Sequence, residues 1–149
     1  MNKKSLSLLL IIFCLATGLA SAQQLEEKRV KIEITVKDGN KSITASVRTA
    51  TFSFTKPAAS STDTPQKNYY LAIDFEKQDL NMLRAFAKNK NGLDGQLTMV
   101  DTYGKMPSRK FEFKAATLES LSDQLNGDYA SSYFSLNCSL VIIDGVTIE

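Results

Sequence analysis

The chain has 149 residues, with 18 Lys and Arg against 16 Asp and Glu, and it contains neither histidine nor tryptophan. Lack of histidine excludes the commonest general base, the Ser-His and Cys-His nucleophile pairs and the usual His-containing zinc sites. Removal of an export segment through Ala22 would leave 127 residues with 16 cations and 16 anions, enough for one modest core. A chain of zero net charge has little with which to hold a phosphate backbone or an anionic membrane, so nucleic acid and membrane insertion after cleavage are not expected.

That export segment is the first feature in chain order. Lys3 and Lys4 give a positive start, Leu6 to Ala16 an apolar stretch too short to span a bilayer, and Ala20-Ser21-Ala22 a small-x-small cleavage site before Gln23. Residues 1–22 therefore read as a signal peptide, and 23–149 as a single exported domain, periplasmic or extracellular. Lipidation at Cys14 would want a small residue before it, and Phe13 is bulky. Cleavage discards Cys14, which leaves Cys138 without a disulfide partner, so stability has to come from apolar burial.

Val30, Ile32, Ile34 and Val36 alternate with polar residues, the period of a strand with one wet face. Asp38-Gly39-Asn40 is turn material, and Ile43, Ala45 and Val47 resume the alternation, so the two segments predict a hairpin. Phe52 and Phe54 continue on even numbers, which requires a bulge or bend near Arg48 to Ala50. Lys56 to Asn68, with Pro57, Pro65 and a Ser/Thr/Ala cluster, predicts a surface loop.

Tyr69, Leu71, Ile73 and Phe75 form the next strand, the third or the fourth depending on whether the bulge divides the second. Asp79 as N-cap and an apolar stripe of Leu80, Leu83 and Ala87, flanked by Met82 and Phe86, predict one short helix over about 79–90 with Gly92 as its terminator. Gln96 to Val100 is strand-like, 103–107 a turn, and Arg109 to Ala115 a strand with Phe111 and Phe113 on one face. Leu118, Leu121 and Leu125 fit a short helix closed by Gly127 but also fit a strand, and periodicity leaves both open. Phe134, Leu136, Cys138, Leu140 and Ile142 alternate over what reads as the longest strand, stopped by Asp144-Gly145.

No residue set composes an active site. Ser53-Phe54-Thr55-Lys56 fits S-x-x-K, but that chemistry needs one helical turn between serine and lysine, and the segment reads as strand with no companion S-D-N or K-T-G element. Cys138 lies on an apolar face with no histidine to activate it. Asn89, Asn91 and Asp94 lack the ligand count of a calcium loop, and Asp74 and Glu76 read as the wet face of a strand rather than a glycosidase pair. No catalytic residue, cofactor or metal is expected. Tyr69, Tyr70, Tyr103, Tyr129 and Tyr133 exceed what the inward faces absorb, so they either cap barrel ends or face a partner. The interspersed charges of Glu26-Glu27-Lys28-Arg29 suit a head-to-tail contact and a soluble face alike.

The order of these elements resembles the Hcp tube proteins, and within them the TssD branch of the type VI secretion system. The likeness is carried by the strand Tyr69 to Phe75, by Leu80-Asn81-Met82-Leu83-Arg84-Ala85-Phe86, and by Gly95-Gln96-Leu97-Thr98. Phe111-Glu112-Phe113-Lys114-Ala115 and Leu136-Asn137-Cys138-Ser139 complete it. The resemblance covers the chain from about Val30 onward. It implies a mainly β fold, a single compact antiparallel β-barrel with one short helix, and strand rather than helix for Leu118 to Leu125. It also implies a non-enzymatic subunit that assembles as a homohexameric ring, stacks into a tube and carries protein effectors, here in an exported variant. A reading from a different class is a monomeric periplasmic or surface module that binds a protein, peptide or glycan.

Overall fold

The computed structural model describes residues 29–55, 68–125 and 130–148. The signal segment, most of the Pro-containing loop and Tyr129 lie outside them. Strands dominate: β1 (Val30–Asp38), β2 (Lys41–Thr55), β3 (Asn68–Phe75), β4 (Leu93–Asp101), β5 (Arg109–Leu125), β6 (Ala130–Cys138), β7 (Leu140–Ile143) and β8 (Val146–Thr147), with one helix, α1 (Leu80–Lys88). The sheet runs β4-β1-β2-β3-β6-β5-β7-β8, and a further β4–β5 pairing closes its first six strands into an antiparallel barrel.

Local chemistry sets the course of the chain. Asp38 pairs with Lys41 across the two-residue loop Gly39–Asn40, with positive φ at Gly39 only, the II′ hairpin pattern that suits the twist of the flanking strands. On β2 the register slips by one between Val47 and Thr49, so Arg48 is the extra residue of the anticipated bulge, and the strand continues undivided through it. The segment from Tyr69 is therefore the third strand.

Asp79 caps α1 by accepting the amides of Asn81 and Met82 at 2.8 and 2.9 Å. Met82, Ala85 and Phe86 turn inward and stopper one end of the barrel. The helix ends at Lys88 with Asn89 as its C-cap, one turn earlier than Gly92.

Strand β5 is the longest element, with 17 residues, and its two register slips explain how it reaches so many neighbours. Ala115, at φ 46°, is the extra residue opposite the Leu93–Gly95 stretch, and Glu119 is the extra residue opposite β6. Between Phe111 and Lys114 the strand has β4 on one side and β7 on the other; beyond Ala116 it pairs with β6. The segment from Leu118 to Leu125 is thus strand, as the resemblance implied, and Arg109 to Ala115 is only its first half.

The last strand corrects the sequence reading. The alternation over 134–142 is not one strand: the chain bends at Ser139, whose amide and hydroxyl both donate to the Lys114 carbonyl at 3.0 Å. Inward residues are even-numbered before the bend, Phe134, Leu136 and Cys138, and Val141 is the buried one after it. Alternation in sequence conceals such a flip because Leu140, Val141, Ile142 and Ile143 are all apolar.

The core is aromatic and aliphatic. Phe75, Phe113, Phe134, Ile34, Ile73 and Leu136 are fully buried. Phe134 makes edge-type contacts with Phe75 at 4.8 Å and with Phe86 at 6.0 Å between ring centroids, so the helix and two strands lock on one ring. Tyr69 lies inside, stacked on Phe54 at 5.1 Å, and its hydroxyl donates to the Ile148 carbonyl at 2.8 Å, tying the end of the described chain to β3.

Candidate assembly surface

A closed barrel removes sheet edges only where every strand is paired on both sides. Two strands here outrun their neighbours. β2 is paired with β1 up to Val47 and with β3 from Val47 onward, so its outer half has a partner on one side only among the described residues. β5 beyond Ala116 is likewise paired with β6 alone. One free edge runs past the start of β1 and the other past the start of β4, at opposite ends of the barrel.

Exposed large apolar side chains gather at these ends. The β5–β6 arm presents Leu125 at 77% exposure, with Leu121 and Tyr133 at 43% each, and Leu80 opens α1 beside it. Leu121 and Leu125 are cross-strand partners of Phe134 and Ala130, so they stand on the core-facing side of the arm but beyond the wall that would cover them. Gln78 donates to Asp123 at 2.8 Å and fixes the arm against the approach to α1. At the far end, Val100 on β4, Tyr103 and Met106 on the β4–β5 turn, and Val146 on β8 are exposed.

The far-end turn is held by a buried carboxylate that composition and pattern did not single out. Asp101 accepts the amides of Tyr103, Lys105 and Met106 at 3.0, 3.1 and 2.9 Å, and Arg29 stands 3.6 Å away. Burial pushes its pKa up, but those amides and the guanidinium outweigh it and hold the carboxyl below its ordinary range. An Asp opening a turn is the signal that would have found it. Tyr103 is thereby presented on a rigid turn rather than a loose one. Of the other tyrosines, Tyr133 also faces outward, Tyr69 is core and Tyr70 half-buried.

The tempting catalytic residues do not converge. Ser53 sits on extended β2 with its side chain exposed. Cys138 is buried, and burial pushes its thiol up to about 12. Asn89 hydrogen-bonds Asp38 and the Ala85 carbonyl, while Asp94 is taken by Lys114 and the Ala115 amide, so the two point to separate structural tasks. Asp74 is engaged by Arg48 at 3.3 Å. Among the described residues no group of three or more His, Cys, Asp or Glu is placed to hold a metal.

By sequence, no family model and no curated protein matches the chain. By structure, Hcp1 from Flavobacterium johnsoniae matches with a TM-score of 0.60 at 10% identity, over 80% of this chain and 98% of that one. The barrel has the Hcp fold. A baseplate structure of the anti-feeding prophage, 6-fold symmetrised, matches at a TM-score of 0.47 and 8% identity, over 80% of this chain and 95% of that one. In this Hcp-like barrel the described residues include no helix long and apolar enough to cross a membrane.

Proposed function

We propose that this chain is an exported, non-enzymatic assembly subunit that closes into a ring, six copies in the form its Hcp-like fold suggests, and stacks into a tube. The observation that carries the reading is the pair of unlike free edges on β2 and β5. An edge that pairs with a copy of itself gives a dimer, whereas two different edges that pair with each other give a head-to-tail contact, which closes into a ring when the rotation allows. Apolar groups at both barrel ends, Leu121, Leu125 and Tyr133 on one and Val100, Tyr103 and Met106 on the other, support stacking in the same sense. A role carrying effectors, as in the type VI secretion system, rests on the fold likeness.

Sedimentation of the purified protein at micromolar concentration tests the reading. A multiple of the monomer mass is expected, and Leu121→Lys combined with Leu125→Lys should lower it by breaking the stacking, with the melting temperature of the barrel little changed. A strict monomer under all conditions would sink the proposal and leave the monomeric binding module. Export is tested separately: N-terminal sequencing of protein from the producing cell should begin at Gln23, and Met1 refutes cleavage.

A further inference from the structure

Charge on this barrel is unevenly neutralised. Arg29, Lys31, Arg48, Arg109, Lys110 and Lys114 each stand within 3.6 Å of a carboxylate. Lys41, Arg84 and Lys88 have no such partner among the described residues, and all three line one groove of about 530 Å³ between the β1–β2 turn and α1. The groove lies where β2 before Val47 has lost β3 as a neighbour and the helix crosses the gap.

The groove holds one acid, Asp38, against these three cations. Asp38 faces Lys41 across the hairpin but accepts the Asn89 side-chain amide at 3.1 Å. Arg84 and Lys88 are four residues apart on one helix face, a spacing at which like charges repel. Arg84 reaches only the neutral Asn81 carbonyl oxygen, at 3.4 Å. Three cations against the single carboxylate of Asp38 round one concavity, at some cost to the helix, leave a net positive receptor for anionic oxygen.

We infer that the groove between α1 and the β1–β2 turn binds a ligand carrying two or more carboxylate or phosphate groups. The planar fork of Arg84 takes one group through paired N–H donors, and Lys41 and Lys88 neutralise the other as point charges. The cations are divided between α1 and the β1–β2 turn, on two sides of the groove, which is why the ligand carries more than one anionic group. Such groups come from a free polyanion or from neighbouring acidic side chains of a polypeptide. The site uses neither the outer half of β2 nor β5 beyond Ala116, so it stands whether or not the ring proposal does.

Calorimetric titration of the full protein at low ionic strength, with tripolyphosphate, citrate and a short oligoglutamate peptide in separate arms, tests the inference. At least one probe should bind at one site per chain and weaken as salt is raised. Arg84→Gln with Lys88→Gln should cost roughly ten-fold in affinity, and Lys41→Gln alone a smaller factor in the same direction. Preference for the inorganic probe, for citrate or for the peptide assigns the source of the anion. Lys31→Gln with Lys105→Gln removes the same charge elsewhere and should leave binding intact. No binding in any arm, or an equal loss in this charge control, overturns the inference. Lys41→Gln lies off the helix, so a folding defect in the helix variant does not shield the idea.

Discussion

Gly92→Ala tests the bulge that lets β4 and β5 meet. Gly92 has φ +83°, and a Cβ built on it would stand 2.4 Å from both the carbonyl carbon and oxygen of Ala115. Two costs add. Left-handed backbone costs an alanine about 1–2 kcal/mol, and forcing a methyl against backbone atoms that cannot rotate away costs about 1–3 kcal/mol. Ala115 has little freedom to yield, because it is itself at φ 46° and its amide is held by Asp94 at 3.0 Å. The sum is about 2–5 kcal/mol, which in a domain of this size lowers the melting temperature by roughly 8–19 °C. Gly39→Ala is the matched control: its φ is +61° but nothing lies within 4 Å of the added Cβ, so only the backbone cost of about 1–2 kcal/mol applies. Urea unfolding followed by circular dichroism reads both variants. Equal losses would refute the claimed crowding of Gly92 on β5 and leave backbone conformation as the whole effect.

Other perturbations follow from the same contacts. Asp79→Ala removes the acceptor for two helix amides and should cost about 1 kcal/mol in urea unfolding; an unchanged midpoint would mean that the plug residues alone hold α1. Asp94, Asp101 and Asp144 all sit below their ordinary pKa. For Asp94 the Lys114 ammonium leads and the Ala115 amide follows; for Asp144 the Lys110 amide leads, burial opposes and Arg109 adds. Their folded-state values lie below the unfolded ones, so their stabilisation is complete above about pH 4 and is lost as pH falls through the folded values. The urea midpoint should hold from pH 7 to 5 and drop between about pH 4 and 2; a midpoint at pH 3 equal to that at pH 7 contradicts this. Cys138, with its thiol pushed up to about 12, should resist labelling until the barrel unfolds. Mass spectrometry of its peptide after brief treatment with a thiol reagent at pH 8 checks this, and rapid labelling in native buffer would show an open barrel.

Much of the barrel was legible because alternation survives wherever one face is wet. β1, β3 and the first half of β2 needed nothing more, and Asp79 with its apolar stripe was enough for α1. The bulge at Arg48 was visible as a change of parity between Val47 and Phe52. The second half of β5 was not readable, since Leu118, Leu121 and Leu125 satisfy a helix and a bulged strand equally well, and only pairing with β6 decides. Ser139 failed for the opposite reason: four apolar residues follow it, and a flip among equals leaves no trace. The candidate assembly surface was legible only as a surplus of tyrosine. Free edges depend on one strand being longer than its neighbour, and the cationic groove joins Lys41 to Arg84 across 43 positions.

The place of β1 between β2 and β4 has a kinetic meaning. Its hairpin with β2 is local and can form within microseconds, yet its other neighbour, β4, joins Lys31 to Val100 and Lys37 to Asp94. Contacts so far apart along the chain pay their loop-closure entropy late and slow the final step. Until β4 arrives, β1 lacks its second neighbour and the six-strand barrel stays open.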